Sequence, residues 1–513
     1  MKLVQLNVGN IKNLRGKRIF LSGKDISYIE EFLNQYREWE ENIVGVIDAH
    51  SSNSEICADG NTFTVFTPQI LEQYDMTKII ILITEDYYVE NYRMLNSMFK
   101  KRVPHDYEIY FFANTETQYA LQYKEKYKDK PLQDMILFRS GPHSKAYVEG
   151  MDLSDNAKAV FEYALQIKLN KKYKLVWMVK HKDSYKDYEK MENVSLIEYD
   201  WSVSTERQKR DTYYDVLFQA KVIFFTDAYG FARNCLKNQI RVQLWHGSGY
   251  KKRLSIIPCE KRYEYMTVPS PLYARLHARE FGLNGSQMLV TGNAKTDWLF
   301  QREENILQKL GIPCAAKYVF WLPTYRFSPS KMHKPVDGKL EKETGMPLLE
   351  TVEQVEKINA ELKRRDYMLV IKLHPFQDRA ALKIKDFSNI CILENDKLVK
   401  NGVQINQVLA FADALISDYS SAIVDFLVLN RPIALVVKDV AEYSDKRGYI
   451  FKDLLPWLPG CLITTEKELT KFISDIAEQR DTTMVQRNKI RKKMHMYCDA
   501  RSSKRILETL RLI

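Results

Sequence analysis

Ala414-Leu415-Ile416-Ser417-Asp418-Tyr419-Ser420-Ser421-Ala422-Ile423-Val424-Asp425-Phe426 reads as a strand that runs straight into a helix. The first four residues are almost wholly apolar, as in a strand covered on both faces. Apolar residues then return with helical spacing after two serines. A strand followed at once by a helix is the repeating unit of a parallel α/β sheet. Such sheets bind ligands beyond the carboxyl ends of their strands. Free N–H groups and hydroxyls at a helix start suit an anion. A plain N-cap needs only one serine, whereas here Ser420 and Ser421 stand together with Asp418 and Asp425 on either side.

The same rhythm extends outward. Strand-like runs at 317–322, 368–373, 390–393, 414–417 and 433–437 form one series, with helical segments between them. An earlier series has strands at 135–139, 174–180, 222–226, 241–245, 265–268 and 287–291, and a helix at 156–167. Gly311-Ile312-Pro313-Cys314 reads as the crossing between the two. Two successive series predict two Rossmann-like domains that face each other, residues 133–310 and 311–513. Residues 1–118 predict a smaller Rossmann-like accessory domain, with strands at 18–21, 43–47, 62–66, 78–84 and 107–112. Ser22-Gly23-Lys24-Asp25 follows its first strand with a single glycine, which is no dinucleotide fingerprint. Asp48 ends its second strand, where such folds place a ribose-binding acid. The reading preferred here is a domain without catalytic chemistry. The polar, Lys-rich residues 116–132 read as a linker.

Composition narrows the class. The 513 residues are 45% hydrophobic and 28% charged, ordinary for a globular protein. No apolar run reaches the roughly 18–20 residues that span a bilayer. Met1 to Arg15 lacks the apolar core of a signal peptide, so a cytoplasmic location is expected. Seven scattered cysteines form no CxxC pair and read as free buried thiols rather than zinc ligands. The net charge of +11 favours an anionic partner: nucleic acid, anionic lipid or a phosphorylated substrate. No aromatic-basic motif of the RNA-binding kind is present, and nucleic acid is not expected. Arg487-Asn488-Lys489-Ile490-Arg491-Lys492-Lys493-Met494 is either a solvated helix face or a contact for lipid headgroups.

Four further clusters follow apolar strands. Trp245-His246-Gly247-Ser248-Gly249-Tyr250-Lys251-Lys252 joins a histidine suited to proton transfer near neutral pH to glycines that admit a ligand and to paired cations. Thr291-Gly292-Asn293-Ala294-Lys295-Thr296-Asp297 is a glycine turn in which Asp297 is either a cap or a site residue. Pro323-Thr324-Tyr325-Arg326 sets an arginine, suited to clamp a phosphate, just past a strand. Leu373-His374-Pro375 ends a strand in a histidine, with proline fit for a first helical turn.

Taken in order, Trp-His-Gly with a following Lys, Thr-Gly-Asn with a downstream Asp, Pro-Thr-Tyr-Arg, Leu-His-Pro and Ser-Asp-Tyr-Ser-Ser with Asp-Phe resemble the CDP-glycerol glycerophosphotransferase family. This family holds the teichoic acid primases and polymerases and related capsule enzymes. The resemblance covers about residues 135–510 and includes Tyr147, Asn156 and Ala157. It implies a GT-B pair of domains, the first on the acceptor side and the second binding the CDP donor. It implies CDP-glycerol or CDP-ribitol as co-substrate and an undecaprenyl-linked saccharide or growing polymer as acceptor. It also implies peripheral attachment to the anionic inner face of the cell membrane. His246 would be the base on the acceptor hydroxyl, with His374 also in the catalytic machinery. His374, Arg326, Ser420 and Ser421, with Lys251, would hold the pyrophosphate; Asp418 would bind the donor, Asp425 would either bind the donor or support the residues that do, and Gly247, Thr324 and Asp297 would lie nearby. The chain departs from the family at Ser248-Gly249-Tyr250-Lys251, where a Thr-Pro-Leu-Lys-like run is common. It departs again at Lys295, often Arg, and at Tyr325, often Trp. No DxD-like acidic cluster accompanies the motifs, so transfer without a metal or other cofactor is expected. A GT-B sugar transferase and a non-catalytic basic surface binder are the rival readings.

Overall fold

Apolar runs of four to six residues set between helices dictate parallel pairing, because a strand buried on both faces needs a crossover helix on each side. The computed structural model describes residues 1–48, 54–85, 88–104, 106–141, 152–199, 205–226, 235–252, 263–323, 344, 346–373, 384, 386–437 and 448–513. The chain divides into one unit of Met1–Lys130 with Trp201–Phe218 and a second of Pro131–Asp200 with Gln219–Ile513.

The first unit is built on β1 (Lys2–Gln5), β2 (Arg18–Ser22), β3 (Ile43–Ile47), β4 (Ser54–Ala58), β5 (Asn61–Phe66), β6 (Ile79–Ile83) and β7 (Glu108–Phe111). Their order is β1-β7-β6-β2-β3-β5-β4. All pair in parallel except the β4–β5 hairpin, and β6 is buried along its whole length. Asp48 pairs with Lys24 at 3.3 Å. The segment expected as a linker is instead a helix, Thr115–Tyr127, capped by the Asn114 side chain. Its charges face outward, while Thr117, Ala120, Tyr123 and Tyr127 are buried. Tyr123 stacks on Tyr214 of the helix Arg207–Gln219 at 4.6 Å. The buried stripe is small and aromatic rather than aliphatic, so no aliphatic periodicity marks the helix.

The second unit carries two all-parallel sheets. One has β8 (Gln133–Arg139), β9 (Lys174–Val179), β10 (Val194–Glu198), β11 (Ala220–Phe225), β12 (Ile240–Gln243), β13 (Tyr265–Val268) and β14 (Met288–Val290), in the order β10-β9-β8-β11-β12-β13-β14. The other has β15 (Lys317–Leu322), β16 (Tyr367–Lys372), β17 (Ile390–Leu393), β18 (Ala414–Ser417), β19 (Ile433–Val436) and β20 (Cys461–Ile463), in the order β17-β16-β15-β18-β19-β20. Strand order reverses between β8 and β11 and between β15 and β18, the points at which such sheets open a ligand crevice. This is the α/β class expected from the sequence. The edge strands β10 and β20 are additions to the series expected from the sequence. No helix among the described residues is long and apolar enough to cross a membrane.

The last helix, Ser502–Thr509, returns to the β8–β14 sheet and packs on the helix Asp155–Gln166. Ile506, Leu507, Leu510 and Leu512 join the core of Phe138, Trp177 and Phe224. Before that return, His495 is 4% exposed and its Nε2 lies 2.7 Å from the Val424 carbonyl. Burial pushes this imidazole down to about 4, so it folds neutral and donates that hydrogen bond. Its contribution is complete above the ordinary histidine value near 6.5 and is lost as pH falls toward 4, by up to about 3 kcal/mol. His495→Gln keeps a donor but does not titrate. We expect its urea midpoint to fall less steeply than wild type between pH 6.5 and 4; parallel curves contradict this.

Candidate active site

The Trp245–Gly249 turn leaves the end of β12 in a conformation that the chain does not favour by itself. Trp245 has φ +54° and Gly247 φ +142°, and a non-glycine residue at positive φ needs outside support. That support is visible. Asn156 Nδ2 donates to the carbonyls of Leu244 (3.2 Å) and Trp245 (2.8 Å), and Lys295 Nζ donates to that of His246 at 2.6 Å. The Trp245 amide donates to Gln243 Oε1 at 2.8 Å. With its backbone pinned, the His246 side chain is exposed to a cavity of about 530 Å³. The Trp245 ring lies 3.8 Å from the imidazole, centroid to centroid.

The opposite wall comes from the stretch in which β18 runs into the helix Ala422–Phe426. Tyr419, Ser420, Ser421, Ala422 and Asp425 line the cavity. A Cβ on Gly247 would stand 3.1 Å from Ser421 Oγ, and one on Gly249 3.0 Å from Ser421 Cβ. Both glycines thus lie at the close approach of the two walls, where a side chain would force Ser421 to shift, and Gly247 also holds a positive φ that L side chains rarely adopt. Ser420 Oγ accepts from the Ala422 amide at 3.3 Å, as a cap would. Asp418 is buried and accepts from the Tyr419 amide at 2.7 Å.

The cations follow from burial and charge. Lys251 and Lys252 line the cavity, held where Lys251 bridges to Tyr449 and the Lys252 amide donates to Gly448. Lys372, at the end of β16, also lines it, with Nζ on the Leu373 carbonyl (2.7 Å) and Asn395 Oδ1 (3.2 Å). Burial pushes its ammonium down to about 8. Lys295 Nζ lies 3.2 Å from both Asp155 Oδ1 and Asp425 Oδ2. Burial opposes its charge, but the two carboxylates outweigh that and hold its pKa above the ordinary lysine value. With Lys295 engaged by Asp155 and Asp425, the field suited to an anionic ligand comes from Lys251, Lys252 and Lys372 among the described lining residues.

The structure thus brings His246, Gly247, Lys251, Ser420, Ser421 and Asp425 to one cavity. Asp297 sits apart from its lining: its carboxylate accepts from the Ser502 and Ser503 amides, both at 2.8 Å. His374, Arg326 and Thr324 lie outside the described residues, although Leu373 and Pro323, which precede His374 and Thr324, line the cavity. Sequence reasoning passed over a second histidine. His277 lines the cavity, with Nε2 3.1 Å from Ser248 Oγ and Nδ1 3.2 Å from Glu280 Oε2. Only the i, i+3 spacing of His277 and Glu280 on the helix Pro271–Phe281 hinted at it. A second chamber of about 470 Å³, with Ser154, Tyr185, Tyr188 and Gln404 in its walls, shares Lys372 and Ile405 with the first.

Residues 130–512 match the family described as CDP-Glycerol:Poly(glycerophosphate) glycerophosphotransferase. The teichoic acid glycerol-phosphate primase of Bacillus subtilis (strain 168) is 27% identical over 271 residues, covering 48% of this chain and 62% of the primase. The chain therefore spans less than two thirds of that relative. The teichoic acid glycerol-phosphate transferase of Staphylococcus aureus (strain NCTC 8325 / PS 47) is 23% identical over 411 residues, 74% of this chain and 93% of the transferase. Among solved structures, the wall teichoic acid polymerase TagF superposes with a TM-score of 0.57 at 19% identity, over 83% of this chain and 97% of that one. That likeness speaks to the fold.

Proposed function

Because the chain belongs to the CDP-glycerol:poly(glycerophosphate) glycerophosphotransferase family, we propose that it transfers glycerol phosphate, or a similar polyol phosphate, from a CDP-activated donor. The acceptor is a lipid-linked saccharide or a growing teichoic acid or capsule polymer, and CMP is released. The observation that carries this reading is the meeting of His246 and Ser421 across a lysine-lined cavity. Phosphoryl-type transfer needs positioning and charge neutralisation more than covalent chemistry. An acceptor hydroxyl attacks the phosphorus that bears the polyol. The new O–P bond forms as the P–O bond to CMP breaks, and His246 takes the hydroxyl proton. Lys251 and Lys252, with the hydroxyls of Ser420 and Ser421, neutralise the pyrophosphate; His374 and Arg326 complete its cradle. In this reading the β8–β14 sheet (133–310) carries the acceptor side and the β15–β20 sheet (311–513) the donor side.

The donor class is tested by incubating the protein with CDP-glycerol, CDP-ribitol and UDP-sugars. CMP release from a CDP-polyol supports the reading, and UDP release alone turns it to a GT-B sugar transferase.

We also propose that the enzyme works against the anionic cytoplasmic membrane face, where a lipid-linked acceptor resides. Lys489, Lys492 and Lys493 are exposed on the helix Met484–Met494 beside Met484 (51% exposed) and Val485 (80%). Lysines near an anionic surface contribute about 1 kcal/mol each, and exposed apolar side chains add insertion. Sedimentation with phosphatidylglycerol vesicles should fall at least about tenfold in K489E/K492E/K493E. Equal binding of the variant, or equal binding to neutral vesicles, contradicts it.

A further inference from the structure

Lys295 is enclosed where three segments meet. Its Nζ reaches the His246 carbonyl at 2.6 Å, Asp155 Oδ1 at 3.2 Å and Asp425 Oδ2 at 3.2 Å. Three acceptors match the three hydrogens of an ammonium group. Asp155 begins the helix that also supplies Asn156 to the Trp245 turn. Asp425 lies one helical turn beyond Ser421 and accepts from Asn293 Nδ2 at 3.3 Å. The Asp155 amide in turn donates to Gln404 Oε1 at 3.1 Å, on the β15–β20 side. A single cation therefore ties the base-bearing turn to the first sheet's helix and to the second sheet's serine-bearing helix.

We propose that Lys295 is a positioning residue for the transfer: it sets His246 against Ser421. The inference rests on the functional reading above. The Trp245–Gly247 backbone is unfavourable without support, and Lys295 donates a hydrogen bond to the His246 carbonyl at its centre. The side chain is 11% exposed, so little solvent is at hand to replace it. Without the cation, the buried Asp155 and Asp425 lose the charge that both of them grip, and the link between the two walls is broken. The reacting groups lose register while the phosphate-binding lysines stay in place. The expected loss is thus in kcat rather than in donor binding. Arginine retains the charge and offers several donors, so it should hold the same three partners.

The experiment uses the full chain as Lys295→Met, Lys295→Arg and the double variant Lys295→Met/Asp155→Asn, which buries one carboxylate fewer and guards against misfolding. Lys295→Met should lower kcat for CMP release about 100-fold, the effect of a small misplacement of reacting groups. Its donor KM should stay within about threefold. Lys295→Arg should recover to within about tenfold of wild type, and the double variant should fold and remain slow. The imidazole C–H resonance of His246, assigned by its loss in His246→Asn, should move in Lys295→Met and not in Lys295→Arg. Near-wild-type kcat in Lys295→Met or in the double variant, an arginine no better than methionine, or an unmoved resonance overturns the inference. If wild type releases CMP from no CDP-polyol, the functional reading fails, and the resonance alone still decides whether Lys295 positions His246.

Discussion

His246→Ala should lower CMP release by about 10²–10⁴-fold, the usual worth of a positioned acid–base group, while the protein stays folded. The two halves of that expectation have separate origins. The turn is fixed through backbone carbonyls, by Asn156 at Leu244 and Trp245 and by Lys295 at His246 itself. Deleting the imidazole leaves all three bonds in place. The side chain is exposed to the cavity, so its loss opens no hole in the core. What disappears is the tilted ring contact with Trp245, about 0.5–1.5 kcal/mol. Thermal denaturation should thus shift little and the donor should still bind. An alanine variant with wild-type turnover removes His246 as the base.

Asp297→Ala should lower stability by about 2–4 kcal/mol, since two buried N–H groups lose a charged acceptor. Asp297 is 6% exposed, and its two oxygens cap the first turn of the helix Ser502–Thr509. That helix seats Ile506, Leu507 and Leu510 in the core beneath β8–β14. A carboxylate at a helix start also meets the positive end of the helix dipole. Alanine removes the cap and leaves the Ser502 and Ser503 amides facing a cavity too buried for ready hydration. Asp297→Asn, which keeps one oxygen acceptor, should fall between alanine and wild type. The urea midpoint reads the effect. An unchanged midpoint in Asp297→Ala contradicts the fastening role, and a loss of turnover without loss of stability would return Asp297 to the chemistry.

Why some of this was legible in sequence and some was not follows from the range of the interactions. Strand ends are local: apolar runs followed by His246, Gly292, Pro323, His374 and Ser420 announce a parallel sheet and the rim of its crevice. The order of those motifs supplied the family. Lys295, by contrast, gains its role from Asp155, 140 positions earlier, and Asp425, 130 positions later. No spacing rule carries that. The pairing of His277 with Ser248, the return of the last helix to the first sheet and the Asp297 cap are of the same kind. The helix Thr115–Tyr127 was hidden for another reason. Its buried face is made of Thr117, Ala120, Tyr123 and Tyr127, residues that do not register as an aliphatic stripe. Asp425 was legible as part of the site from its position after two serines, but not its partners: its carboxylate faces Lys295 and Asn293 at the cavity edge.

The central claim is a transfer in which phosphorus, not sugar carbon, changes partner. It is tested most directly by supplying CDP-glycerol labelled in the glycerol, together with a lipid-linked saccharide acceptor, and following nucleotide and acceptor at once. The account predicts one CMP released for each glycerol phosphate gained by the acceptor, with both lost in His246→Ala. Release of CDP with transfer of glycerol alone, or incorporation that continues unchanged in His246→Ala, would contradict it.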